Sequence, residues 1–201
     1  MYYFVTASKD ASIYLQQPTQ NTGLDEVLEV SKVYYGNLKD TARSLIKFDV
    51  TPLSESIASG EVTMSSAELI LHECESGEIP TDYTIYAYPV SQSWDMGIGT
   101  RFDEISTDGC SWENRKEDWL GTDFASGTTG SFNGKGGTWY TGSAASQSFS
   151  YQSTDIDMNV LAPLNSWISG SIPNEGWIIK HSSAKENDTV DYGQLKFFGK
   201  E

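Results

Sequence analysis

The chain is poor in the residues that staple a fold or carry out catalysis. Its two cysteines, Cys74 and Cys110 in 201 residues, cannot make a disulfide framework, and a chain this long buries enough surface to fold without one. Spacing leaves their pairing open; two buried free thiols are the commoner state in a protein made in a reducing cytosol. Two histidines, His72 and His181, and no nucleophile elbow give a Ser-His-Asp triad nothing to stand on. With the cysteines they show no C-x-x-C or H-x-x-x-H spacing, so no zinc site is expected. Basic residues are scarce as well: 13 against 28 acidic ones, a formal charge of −15. Such a surface repels phosphate backbones and anionic lipid, which excludes nucleic acid and membrane as partners. Its ordinary use is solubility; structural calcium held by a subset of the carboxylates is the sharper use. No apolar run approaches ~18 residues. The N-terminus MYYFVTASKD has neither the basic head nor the apolar stretch of a signal peptide, so the chain is expected to fold in the cytoplasm where it is made. The Asn187 sequon carries no weight without secretion.

What is present is alternation of period two. In RSLIKFDV, Ser44, Ile46, Phe48 and Val50 share one face, and Arg43, Leu45, Lys47 and Asp49 the other. In AELILHEC, Leu69 and Leu71 oppose Ile70 and His72, which predicts a strand with both faces at least partly covered. DYTIYAYPV ends at Pro89, as an edge strand or strand terminus does. TDIDMNV turns Ile156, Met158 and Val160 inward and Asp155, Asp157 and Asn159 outward. EGWIIKH and GQLKFF read as late strands. The single short-helix candidate is PLNSWISG, opened by Pro163 and closed by Gly170. Between 121 and 150 the chain turns to Gly, Ser and Thr, the composition of a loop. No repeat and no linker divides the chain, so it reads as one all-β domain, 1–201, with a long central insertion.

Motifs that carry chemistry mostly fail on inspection. SFNGKGGT lacks a phosphate loop's first glycine, at Thr129, and its Ser or Thr after the lysine, at Gly136. DIDMN begins like a calcium loop, but its sixth position is Val160 and its twelfth Ser166; the alternation is the outer face of a strand. Paired carboxylates for glycoside cleavage are untestable among 28 acids. The stretch DGCSWENRKEDW, 108–119, combines two tryptophans with four carboxylates. It fits a sugar-cleaving site, a sugar platform, or a loop folded over the protein's own framework.

A series of phrases is more specific: KDASIY, NTGLDEVLEV, ARSLIKFDV, SSAELILHECE, SQSW, CSWENR, STDIDMNVLAPLNSWISGSIPNEGWIIK and LKFFGKE, in that order. Nearly the whole chain resembles the DNRLRE-type domain related to carbohydrate-binding modules of family 96, most strongly at 43–49 and 154–180. TASKDASIY, NTGLDEVLEVSK, DYTIYAYPVSQSW and SIPNEGWIIKHS resemble the version found among virion structural proteins of tailed bacteriophages. Two departures stand out. The family's Trp-x-Asn-x-Pro loop lacks its proline after Trp112, and the family's final strand beyond the Phe-Phe phrase is missing at Glu201. A strand supplied by another chain, or a longer parent protein, would account for the second.

The resemblance implies a two-sheet antiparallel β-sandwich, jelly-roll-like, with Trp94 and Trp167 as buried structural residues and Phe48, Leu69, Leu71, Ile156, Met158 and Val160 in the core. Arg43 and Asp49, on one strand face, are expected to fix neighbouring loops by charge-assisted hydrogen bonds. The function it implies is that of a non-enzymatic tail or appendage component of the virion. Such a component assembles with other virion proteins into an oligomer and touches host surface polysaccharide. The alternatives are a carbohydrate-binding module of a polysaccharide-degrading system and, third, a glycoside-active enzyme. Sugar binding needs flat aromatic faces beside amides or carboxylates. Trp139 and Tyr140, in the glycine-rich insertion, are the first candidates, followed by Trp119 and Trp112; Trp112 has loop anchoring as an equal alternative.

Overall fold

A computed structural model describes residues 2–76, 81–117, 135–150 and 155–200. Its strands are β1 (Ala7–Tyr14), β2 (Val27–Tyr35), β3 (Leu38–Phe48), β4 (Glu68–Leu71), β5 (Glu73–Ser76), β6 (Tyr83–Pro89), β7 (Ala145–Phe149), β8 (Ile156–Asn159), β9 (Trp177–His181) and β10 (Gly193–Phe198). The helices are α1 (Thr51–Ala58), α2 (Leu161–Ile168) and α3 (Ser183–Asn187). Residues 41–46 of β3 are all buried. Because successive side chains on a strand point to opposite faces, a strand buried throughout must be covered on both. Ile46 enters a large core with Leu28, Val30, Trp177, Ile179 and Phe197. Leu45 enters a smaller one with Ala11, Ile13, Trp94, Trp112, Trp139 and Ile178.

All strand pairs are antiparallel. A curled sheet runs β5-β10-β2-β3-β9-β6-β7 with β1 also paired to β3, and a second sheet is β4-β8. The fold is therefore all-β and sandwich-like. Its large core lies between the curled sheet and the small one, where Leu69 and Leu71 of β4 meet Ile156 and Met158 of β8 and α1 and α2 add Leu53, Leu164 and Trp167. Among the described residues, the opposite face of the curled sheet is covered by loop segments and not by a third sheet.

The two sheets join at corners, as orthogonally packed sheets do when one strand switches partners. β4 pairs β8 and its continuation β5 pairs β10, with Phe198 N donating to His72 O between them at 3.0 Å. At the same end of the small sheet a side chain replaces the ladder between β7 and β8. Gln147 of β7 donates from Nε2 to Asp155 O (3.1 Å) and accepts at Oε1 from Asp157 N (2.7 Å). The Asp155 carboxylate in turn accepts from Glu73 N and meets His72 Nδ1, both at 2.8 Å.

Ile156, Met158 and Val160 are buried, with Asp155, Asp157 and Asn159 outside. Trp94 is fully buried, its Nε1 donating to Glu175 O at 2.8 Å, and Trp167 lies 4.5 Å from the Trp177 ring. Phe48 is half-buried against the large core. β6 is not an edge: β7 pairs its residues 83–87 and β9 its residues 85–89, so Pro89 sits at the strand end. The Ile70–His72 face of β4 is open to solvent because the small sheet packs through one face only. β10 has β2 on one side and, at residues 195–197, β5 on the other, and β5 is the strand at that end of the sheet.

Pro163 is the third residue of α2, and the entry is made earlier by Asn159 Oδ1 accepting from Leu161 N at 3.0 Å. The helix α1, overlooked in TPLSESIASG, starts the same way, with Asp49 Oδ1 accepting from Thr51 N at 3.0 Å. Both helices end in Ser-Gly, with Gly60 and Gly170 at φ +79° and +72°, the left-handed stop that glycine permits. Asp49 lies one residue past β3, exposed, and fixes this turn rather than sharing a strand face with Arg43.

Replacing Gln147 by Ala removes two hydrogen bonds at a partly exposed seam. The expected loss is about 1 kcal/mol in denaturant unfolding, together with faster exchange of the Asp157 amide proton and unchanged exchange in β9. An unaltered Asp157 exchange rate would show that Gln147 does not hold the corner.

Candidate functional site

The β3–β9 register pairs Ser44 with Ile179 and Leu45 with Ile178, so the next position along sets Arg43 opposite Lys180. Two like charges across a ladder repel, and here both are fully buried. α3 resolves the conflict. It follows β9 directly, and Ser182 Oγ caps it by accepting from Lys185 N at 3.3 Å, which turns Glu186 back onto the strand pair. Arg43 donates from Nε to Glu186 Oε1 (3.0 Å) and from Nη2 to Oε2 (2.8 Å); Lys180 Nζ lies 2.9 Å from Oε2. The guanidinium is 4.4 Å from the Trp112 ring centroid and 5.3 Å from that of Trp139, and Lys180 Nζ is 4.8 Å from Trp139. Two cations, one carboxylate and two indole faces thus form one centre, the indoles taking up the positive charge that Glu186 leaves over.

The electrostatics follow from burial and neighbours. Burial alone would push the Glu186 carboxyl up, but Arg43 and Lys180 hold it below its ordinary value. Burial, reinforced by Arg43, brings Lys180 down to about 8. Burial brings the neighbouring His181 down to about 4, and its ring sits between Tyr83 and Tyr192.

This centre fastens the loop layer. Arg43 Nη1 donates to Gly136 O, and Gly136 N donates to Trp112 O at 2.6 Å. A Cβ on Gly136 (φ +80°) would stand 2.7 Å from the Trp112 ring, so glycine is what lets this turn lie on the indole. Trp139 bridges to Val90, Ser91 N donates to Thr138 O (3.0 Å) and Tyr140 N to Pro89 O (2.9 Å). Within CSWENR, Ser111 N donates to Asn114 O (2.7 Å) and Cys110 N to Asp95 O (2.8 Å). Lys135 joins Glu113 at 2.6 Å.

The candidate aromatic platforms are therefore distributed as follows. Trp112 and Trp139 come together, but at 3 % and 2 % exposure with Arg43 and Lys180 against their rings. The faces expected to receive a sugar are occupied from within. Tyr140 is half-buried beside them, and Trp119 lies outside the described residues. Cys74 and Cys110 are both free, Cys74 exposed and Cys110 buried, its thiol pushed up to about 12 by burial. His72, Cys74, Cys110 and His181 do not converge. Among the described residues no group of three or more His, Cys, Asp or Glu is arranged to hold a metal ion, calcium included. Glu186 and Lys180 were not singled out from sequence. A lysine inside the apolar strand WIIKH was the one available signal.

A separate cleft of about 420 Å³ opens beside β6, β7 and the start of α3. Tyr83 and Phe149 stack at 4.9 Å along it. Asp82, Thr84, Tyr86, Ser148, Ser182 and Lys185 line it, with Thr84 Oγ1 3.0 Å from Ser148 Oγ and Ser150 Oγ donating to Asp82 Oδ1 at 2.8 Å. Tyr83 and Phe149 are themselves buried, at 3 % and 6 % exposure, so its accessible groups are the half-buried Tyr86 ring, hydroxyls, one carboxylate and one ammonium, the kinds of group that hold a polyhydroxylated ligand.

No model of a known protein family matches the chain, and no curated protein matches it in sequence.

Two outcomes are expected. Glu186→Gln leaves two buried cations without their carboxylate and costs about 3–5 kcal/mol in denaturant unfolding; a loss below about 1 kcal/mol would remove Glu186 as the neutralising group. The unfolded chain protonates His181 near 6.5 while the folded chain resists until about 4. Stability from this group is complete above that range and falls through it, by up to about 1.4 kcal/mol per pH unit. His181→Phe should flatten that acid limb in unfolding titrations, and an identical limb would contradict the assignment.

Proposed function

We propose that the chain is a non-enzymatic structural component of a tailed-phage virion, tail- or appendage-associated, that acts by assembling with other virion proteins. The observation that carries this reading is how the chain uses its chemistry. One cluster of ionisable groups, Arg43, Lys180 and Glu186, is closed off and consumed in holding loops to a sheet. Large apolar side chains instead stand at the surface in segments 2–4, 35–38 and 98–105, and exposed apolar patches mark contact surfaces. The resemblance to virion domains supports the particle as the setting, and the acidic surface, with net charge −15, supports partners other than nucleic acid or membrane. A host-glycan contact is favoured by the cleft lined by Tyr86, Asp82 and Lys185, in place of the buried tryptophans. The same cleft would serve the alternative reading, a carbohydrate-binding module.

Quantitative mass spectrometry of purified particles from the encoding phage is expected to find the chain at a fixed copy number per particle. Its absence from washed particles would overturn the assembly reading. On an array of surface polysaccharides, Tyr86→Ala is expected to lower any binding at least tenfold while Trp139→Phe leaves it unchanged. Loss with Trp139→Phe alone would return the sugar site to the tryptophans.

A further inference from the structure

Asn21 is fully buried, and all of its side-chain hydrogen-bonding capacity is directed at one loop and its own turn. Its Nδ2 donates to Met96 O (2.7 Å) and Cys110 O (2.8 Å), and its Oδ1 accepts from Gly99 N (2.8 Å) and Gly23 N (3.2 Å). The 96–110 loop is thereby pinned at both ends by a single amide. Further backbone ties run from Leu24 N to Gly99 O (3.0 Å) and from Asn21 N to Ser106 O (2.9 Å). Gln20 Nε2 donates to Thr100 O at 2.6 Å, and Arg101 N donates to Asp25 Oδ1 at 3.1 Å. The packing admits no change at the glycines: a Cβ on Gly99 would stand 2.5 Å from Asn21 O, and one on Gly109 2.6 Å from Asn21 Nδ2.

This rigid frame turns its apolar side chains outward. Ile98, Phe102 and Ile105 are 68 %, 88 % and 72 % exposed, all within eight positions. The loop's backbone is anchored beside them, at Met96, Gly99, Thr100, Arg101, Ser106 and Cys110. Such pre-ordered apolar groups lose little conformational freedom when a partner covers them. The exposed charges around them are carboxylates, Asp103, Glu104 and Asp108. The one cation of the loop stem, Arg101, is bound to Glu29 Oε2 at 2.5 Å and lies over the Tyr14 ring at 4.0 Å and the Phe102 ring at 5.2 Å.

We propose that the 96–110 loop is a docking element for a protein partner whose face carries an apolar groove ringed by lysine and arginine. The proposal rests on the assembly reading and adds where the contact is made and what chemistry the neighbour must have. A second copy of this chain would bring acid against acid, and an anionic lipid surface or nucleic acid would be repelled for the same reason.

The test uses particles assembled without this chain as the probe, with the purified chain added back and binding followed by interferometry. The triple variant Ile98→Ser, Phe102→Ser, Ile105→Ser is expected to bind at least tenfold more weakly than the native chain. Because the three side chains already face solvent, its thermal midpoint should be unchanged. Asp103→Lys with Glu104→Lys is also expected to weaken binding at least tenfold, and added salt to weaken the native chain. Native-like binding by the triple variant would overturn the docking role, and tighter binding by the lysine variant would overturn the basic partner. In both cases the assembly reading survives through another surface. Failure of the native chain itself to bind would overturn that reading and this proposal together.

Discussion

Everything on one face of the curled sheet depends on Glu186 standing between Arg43 and Lys180. The strand register brings two cations together where water cannot reach them, and neither side chain can be moved out without slipping β3 against β9. A buried ion group does not stabilise a fold for nothing, because its desolvation offsets most of the attraction. What it supplies is definition. The fork of Arg43 has one arrangement that satisfies Glu186 and Gly136 at once, and that arrangement requires the 135–140 segment to lie on Trp112. The loop layer thus has a set position over a sheet face that would otherwise be an open apolar surface.

The same device recurs wherever the backbone cannot complete its own ladder. Gln147 presents an amide that behaves as a peptide group between β7 and β8. Asn21 does so at the 96–110 loop. Asp49 and Asn159 each start a helix after a strand by taking up an amide proton two residues on. These side chains explain how a chain with no disulfide among the described residues and with long irregular segments keeps those segments in place. The acidic surplus is partly spent this way, since Asp25, Glu29, Asp49, Asp155 and Glu186 all hold structure.

Strands were the legible part of the sequence. The alternation in TDIDMNV and the apolar late strands WIIKH and GQLKFF appear where their spacing puts them, because a strand's period is written in a few consecutive residues. The two overlooked or displaced helix starts have a different cause. TPLSESIASG carries the same Pro-Leu and Ser-Gly signals as the α2 segment, but the residue that opens each helix is an Asp or Asn back in the strand end. The site was far less legible. Arg43 could be recognised as an anchor of loops, yet its partner lies 143 positions away among 28 acids, where no local pattern singles it out. Trp139 reads first as a sugar platform because it lies in a glycine-rich stretch, and Trp112 reads equally as platform or loop anchor. Physically the glycines do the reverse here: without a side chain, Gly136 lets the backbone descend onto the sheet and carry the indoles down with it.

The fold therefore has two surfaces: an inner layer in which charge and aromatic rings are used up holding loops, and an outer one on which a fixed loop displays apolar side chains among carboxylates. The proposal that rests on them is that the chain works as a part fitted to other virion parts. The most direct measurement is a cryo-electron microscopy map of the phage particle in which the proposal places the chain. The account predicts density for this sandwich seated in the tail or an appendage, with the 96–110 loop against a neighbouring chain and the Trp112–Trp139 layer turned away from any ligand. A particle map with no place for this fold would contradict it.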